Sequence, residues 1–187
     1  MPLTINKIWM LLLGALGMHA SPALAQATTE GVICSPELTG ESTRPGSEGC
    51  IDVLAWSWGA SSSGDQGGGG PSQPNFQDFS FTKKVDTASE DFLRLLVTAS
   101  PIKEASFSQY SDCASCESGD PILAISFRDV RTTSASTGAA SAIPTENISI
   151  AYNQISYCYR PTTKGGSLGP AECFAYDLEQ GVSITPF

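Results

Sequence analysis

The side chains best equipped for chemistry in this 187-residue chain are its six cysteines, Cys34, Cys50, Cys113, Cys116, Cys158 and Cys173. Cys113 and Cys116 make the only C-x-x-C pair, a spacing that serves thiol–disulfide exchange when it opens a helix whose positive end stabilises a thiolate. Here the pair runs into Glu117-Ser118-Gly119-Asp120-Pro121, a turn whose two carboxylates raise a thiolate pKa. A structural disulfide is the reading that follows. A thiol–disulfide enzyme using Cys113 and Cys116 is the least favoured of the functions considered. Structural zinc needs four such ligands and there is no second C-x-x-C, so neither a metal nor a cofactor is indicated.

The single histidine, His19, lies in a segment that reads as a secretory signal. Residues 1–25 combine Lys7, an apolar run over residues 8–18 and the A-x-A cleavage site Ala23-Leu24-Ala25. Cleavage before Gln26 leaves a mature chain without histidine, the usual general base near neutral pH, so no Ser-His-Asp or Cys-His site can be assembled. No catalytic residues are assigned and an enzyme is not indicated. The mature chain keeps 9 basic and 19 acidic side chains, a net charge of −10 against −9 for the whole chain. Such a surface repels phosphate backbones and anionic headgroups, which argues against nucleic acid as a partner. An 11-residue apolar run is too short to remain as a membrane span. The expected location is the periplasm or the extracellular space.

Other residues have a functional and a plain reading. Trp56 and Trp58 could make an aromatic platform for sugar, but a strand apolar on both sides usually buries such rings. Gly67 to Gly70 lack the Lys and Ser/Thr of a phosphate loop, and no helix follows. Lys83 and Lys84, just before Asp86 and Glu90, read as solvated or subunit-interface charges. Asn147-Ile148-Ser149 is a glycosylation sequon that a bacterial resemblance, given below, makes fortuitous.

The elements around these residues are mostly strands. Residues 26–50 carry Cys34 and Cys50 among polar residues without periodicity and read as an N-terminal arm. Residues 51–58 form a strand covered on both sides, and residues 61–74 a loop in which 11 of 14 residues are Ser, Gly or Pro. Phe79 and Phe81 mark a half-buried strand. The one helix starts near Thr87, a cap with Glu90 as capping-box partner, presents Phe92, Leu93, Leu95, Leu96 and Val97, and stops before Pro101. Strands follow over 102–110 and 122–130, the latter alternating at Leu123, Ile125 and Phe127. A second flexible loop over 134–146 leads to a long strand over 148–159 and short strands over 173–178 and 182–184. Six or seven strands with one helix describe an antiparallel β-sandwich or closed barrel. An outer-membrane barrel is disfavoured by the helix and by strand faces without a continuous apolar band.

Five blocks resemble the Hcp family, the tube proteins of bacterial type VI secretion systems. They are Ile51-Asp52-Val53-Leu54-Ala55-Trp56-Ser57-Trp58-Gly59, Phe81-Thr82-Lys83-Lys84-Val85-Asp86-Thr87-Ala88-Ser89, Pro101-Ile102-Lys103-Glu104-Ala105, Ile125-Ser126-Phe127-Arg128-Asp129-Val130, and Pro144-Thr145-Glu146-Asn147-Ile148-Ser149-Ile150-Ala151-Tyr152 with Gln154-Ile155 behind it. The resemblance implies a small β-barrel with one flanking helix over residues 51–187, assembling as a homo-oligomer in a hexameric ring with a wide channel. It also implies a long loop, residues 60–74, that reaches a neighbouring subunit, with Ser61, Ser62, Ser63, Gly64, Asp65, Gln66, Gly67, Gly68, Gly69 and Gly70 as its contact segment. Stacked rings of this kind carry effectors, so a secreted effector or other protein is the partner implied, and no active site is.

The chain departs from that family in its export signal and its cysteines. Six cysteines on an exported chain read as disulfides. Among 15 connectivities, the sequence-local pairs 34–50, 113–116 and 158–173 each close a loop between segments expected to be adjacent. The two longer loops would contribute about 3 kcal/mol each in the chain-entropy view. The reading is therefore an exported, disulfide-stapled structural protein. The alternative is a monomeric periplasmic or extracellular binding module that keeps the barrel and has lost the tube role.

Overall fold

The computed structural model describes residues 31–62, 74–110, 119–140 and 142–187. Among them the elements are β1 (Gly31–Cys34), β2 (Ile51–Ser57), β3 (Ala60–Ser61), β4 (Asn75–Phe76), β5 (Phe79–Lys84), α1 (Ser89–Thr98), β6 (Ile102–Gln109), β7 (Leu123–Gly138), β8 (Thr145–Ala151), β9 (Gln154–Tyr159), β10 (Glu172–Asp177) and β11 (Val182–Ile184). Strands β7, β6, β1, β2, β5 and β8 pair antiparallel in that order and close, because β7 also meets β8. This is the mainly β barrel with one flanking helix that the sequence implies. Strands β9, β10 and β11 continue the sheet outward from β7, and β3 and β4 form a separate two-stranded ribbon.

Closure depends on the length of β7. Its first half pairs with β6 on one side and β9 on the other, and from Arg131 onward it pairs with β8. Where the partner changes, Asp129 has φ 52°, a left-handed conformation that Asp tolerates better than most residues. The strand read over 148–159 is thereby split at Tyr152 and Asn153 into β8 in the barrel and β9 in the extension. Residues 134–138, read as loop, are strand, with Ala135, Ser136 and Thr137 opposite Ile148, Asn147 and Glu146. Their small and hydroxylic side chains are mostly exposed, so no apolar alternation marked them.

Residues 31–34, read as part of an arm outside the barrel, supply a stave between β2 and β6. Val32 and Ile33 are fully buried, and a Cβ on Gly31 would lie 3.0 Å from the Phe107 ring. Four residues are too few to display a period. Strand β2 also differs from its reading. A bulge between Val53 and Ala55 shifts the alternation by one residue, so Ile51 and Val53 and then Trp56 and Trp58 all face the core side, leaving Leu54 exposed. Apolar residues of both parities marked a bulge, not a strand buried on two faces.

The barrel is packed solid. Phe79 lies within 5.1–6.1 Å of the rings of Trp56, Phe81, Phe107 and Phe127, in tilted and stacked pairs. Helix α1 packs on the core through Phe92, edge-on to Phe81 at 5.8 Å, and through Leu95. Leu93 and Val97, read as part of its apolar face, point to solvent. Thr87 does not cap the helix. Its N–H donates to Glu41 Oε1 and its hydroxyl to the Thr39 carbonyl, while Asp86 Oδ1 accepts the Ala88 N–H. The helix ends at Ala99, in the left-handed region at φ 51°, before Pro101.

Candidate functional site

Two of the three sequence-local cysteine pairs fall within the described residues, and both are disulfides. Cys34–Cys50 joins the end of β1 to the start of β2, with Cα atoms 4.7 Å apart. It closes a loop that is tied to its surroundings at several points. Ser35 Oγ donates to the Glu104 carbonyl, Glu37 Oε2 accepts the Lys103 N–H at 2.6 Å, and Thr39 and Glu41 hold Thr87 at the start of α1. Gly40 lies so close to Cys50 that a Cβ there would stand 2.4 Å from the Cys50 carbonyl oxygen. The first disulfide therefore fixes the loop that anchors the helix.

Cys158–Cys173 links β9 to β10 at directly opposed positions, with Cα atoms 4.1 Å apart. It staples the part of the sheet that lies outside the closed barrel. Cys113 and Cys116 lie outside the described residues. So do Ser63, Gly64, Asp65, Gln66, Gly67, Gly68, Gly69 and Gly70, together with residues 1–25. Ser61 and Ser62 are exposed at the root of that loop, where Ala60 and Ser61 pair with Phe76 and Asn75.

A buried ionic centre, missed in the sequence, ties three of these elements together. Lys83, read as a surface charge, is fully buried. Its ammonium lies 2.7 Å from Asp86 Oδ1 and 3.0 Å from Glu146 Oε2, and it donates to the Lys84 carbonyl and to Ser89 Oγ. Ser89 in turn donates to Glu146 Oε2 and accepts the Asp86 N–H. A buried ammonium demands such full pairing, since an isolated one would be several kcal/mol less favourable. The signal was present: Lys83, Asp86 and Ser89 belong to one of the recurring blocks and Glu146 to another, but nothing local showed that β5 and β8 are neighbours.

A second polar contact sits where β8 leaves the barrel. The Tyr152 hydroxyl donates to the Gln77 carbonyl at 3.0 Å and accepts from Trp58 Nε1. Burial, reduced by the Trp58 hydrogen bond and reinforced by Asp78, pushes the Tyr152 pKa up to about 12. Trp56 Nε1 donates to Gln109 Oε1 at 3.0 Å. Both tryptophans are thus half-buried packing residues with satisfied N–H groups.

Chemically the described residues hold a framework. No three His, Cys, Asp or Glu side chains among them converge as metal ligands, and no helix among them is long and apolar enough to cross a membrane. Large apolar side chains outside the core include Leu54, Leu93, Val97 and Phe174, the last 53% exposed. Isolated exposed apolar residues are ordinary, whereas Leu93 and Val97, one helical turn apart, form a stripe of the kind that contacts a partner.

A family model described as "Type VI secretion system effector, Hcp" matches residues 28–159. Comparison with curated protein sequences finds no match. Among solved structures, a type six secretion system protein superposes with a TM-score of 0.74 at 22% identity, covering 82% of this chain and 98% of that one. Hcp1 from Salmonella typhimurium gives 0.67 at 16% identity, covering 82% and 97%. A type VI secretion system effector from Yersinia pestis gives 0.62 at 22% identity, covering 79% and 98%. These structures share the fold, and the family match includes β1, the stave that the five blocks left out.

Proposed function

The chain belongs to the Hcp family of type VI secretion proteins, and from that premise we propose that it is a ring-forming structural subunit, exported and held by disulfides. The observation that carries this reading is the closed, side-chain-filled barrel, with one disulfide between the staves β1 and β2 and another between β9 and β10 of the extension. A solid barrel with fixed edges is a rigid block, and rigid blocks repeat around an axis through a heterologous interface that closes by rotation. Six copies enclose the channel between them, since the barrel's own interior is occupied by Phe79, Phe107 and Phe127. The α1 stripe of Leu93 and Val97 and exposed Leu54 give the block apolar contact surface. Contact with a neighbouring subunit or ring is assigned to residues 60–74, which begin in the ribbon of β3 and β4.

In this reading the subunit acts by shape. The channel takes a secreted effector or another protein, and no side chain is assigned a chemical step. The disulfides support action outside the reducing cytoplasm, after export through the signal at residues 1–25. Intact-mass analysis and N-terminal sequencing of the periplasmic protein test this. The reading predicts a start at Gln26 and six oxidised cysteines. A cytoplasmic form that keeps residues 1–25 with free thiols would contradict export and restore an ordinary cytoplasmic tube subunit.

A further inference from the structure

The extension of the sheet beyond the barrel presents a connected set of aromatic rings that the tube role does not use. Trp58 stacks on Tyr157 at 5.8 Å and contacts Phe76 at 6.2 Å; Phe76 stacks on Tyr176 at 5.2 Å, and Tyr176 on Phe174 at 6.3 Å. Successive rings are within 24–32° of parallel. Trp58, held by Tyr152, and Phe76, Tyr157 and Tyr176 are partly buried against the core, and the set ends in solvent at Phe174. Register explains its one-sidedness. Tyr157 lies opposite Phe174 and Ile155 opposite Tyr176, so these side chains share one face of β9 and β10. Cys158 and Cys173, next along each strand, point to the reverse face, where their disulfide fixes the spacing of the two strands from behind.

An open cleft of about 400 Å³ adjoins the rings, lined by Pro74, Asn75, Phe76, Tyr176, Leu178 and Gly181. That volume is in the range of small-ligand sites, which pair an apolar wall with a few polar groups. Asn75 is a polar residue in the lining of the cleft, and the exposed carboxylate of Glu172 lies on the Phe174 face of β10.

We propose that this face is a binding site for a neutral oligosaccharide. Pyranose rings have flat C–H faces that lie against aromatic rings, and a rim of hydroxyls that donate to carboxylates and exchange hydrogen bonds with amides. The net charge of −9 selects against phosphorylated or uronic-acid polymers, while the hydroxyl donors of a neutral sugar complement Glu172. Rings set by strand pairing and a disulfide are ordered before binding, so little conformational freedom is lost when the sugar docks. Of the two tryptophans that suggested a sugar platform, only Trp58 belongs to this set, because Trp56 packs between Phe79 and Phe107.

Calorimetric titration of the oxidised, full-length mature protein with cellohexaose, chitohexaose and maltohexaose tests the assignment. At least one hexasaccharide should bind with a Kd at or below about 1 mM. Phe174→Ala and Tyr176→Ala should each weaken it about tenfold, with Glu90→Gln, an exposed position in the first turn of α1, as a control on another surface that leaves it unchanged. Circular dichroism melts of the variants establish that they fold, and for Tyr176, Tyr176→Phe keeps the ring and should retain binding. Failure of all three sugars to bind, or binding that survives both alanine substitutions, overturns the proposal. If the alanine variants instead dissociate an oligomer while no sugar binds, the face is a contact between copies of this chain and the saccharide assignment is wrong.

Discussion

The Lys83 ammonium and the Glu146 carboxylate stand 3.0 Å apart, with the lysine side chain fully out of water and the glutamate nearly so. Their contact locks β5 to β8 and, through Ser89, to the first turn of α1. Lys83→Met leaves Glu146 and Asp86 without their shared cation and should lower stability by about 3–5 kcal/mol, whereas Glu146→Leu leaves Lys83 its Asp86 partner and should cost less. The double variant should lose less than the sum of the two, because no unpaired Glu146 or Lys83 charge faces the other position. Urea unfolding of the three variants measures this, and additive losses would contradict the coupling.

The raised pKa of Tyr152 gives a pH dependence with a definite sign. The neutral phenol is favoured in the folded chain, with a pKa of about 12 against 10.0 for the free side chain. The stabilisation is complete below pH 10 and is lost as pH rises toward 12. Tyr152→Phe removes the hydroxyl that donates to Gln77 and accepts from Trp58, which should lower stability by about 1–2 kcal/mol at pH 7. The gap between wild type and variant should then narrow from pH 10 upward, as read from urea midpoints. A gap that stays constant to pH 12 would show that the hydroxyl is not held neutral by burial.

The two staples act on different parts of the molecule. Replacing Cys158 and Cys173 by serine should cost about 3 kcal/mol from loop closure, with the barrel intact. Replacing Cys34 and Cys50 should cost at least that much, since it also releases the loop that holds Thr87 and α1. Amide exchange separates the cases: α1 amides should lose protection in the second variant and keep it in the first. Equal protection of α1 in both would sever the first disulfide from the helix.

Ala99 ends α1 in a left-handed conformation that an alanine adopts at a cost of about 1–2 kcal/mol. Ala99→Gly should therefore raise stability, by about 0.5–1 kcal/mol once the greater freedom of glycine in the unfolded chain is counted. Thermal melts check the direction. A lower melting temperature would mean that the Ala99 methyl group contributes more than its backbone strain removes.

Parts of this fold were legible in the sequence because a single rule governs them. Leu123, Ile125 and Phe127 alternate, and so do Phe79 and Phe81, and the two strands they mark, β7 and β5, are both present. The paired cysteines 34–50 and 158–173 were legible because each joins nearby segments. What was hidden depended on distant neighbours. The four residues of β1 become a stave only when β2 and β6 flank them, and Lys83 becomes a core residue only when Glu146 arrives from β8. The bulge in β2 was visible as apolar residues of both parities, a pattern equally suited to two-sided burial. The Thr87 cap followed local chemistry, but a tertiary contact to Thr39 and Glu41 claimed the side chain and its N–H.

Oligomeric state tests the central claim most directly. Light scattering of the oxidised mature protein, with negative-stain images of the same fraction, should give a particle of about 100 kDa, six subunits of roughly 17 kDa, appearing as six-fold rings. A monomer of roughly 17 kDa with no rings in the images would contradict the ring-forming account.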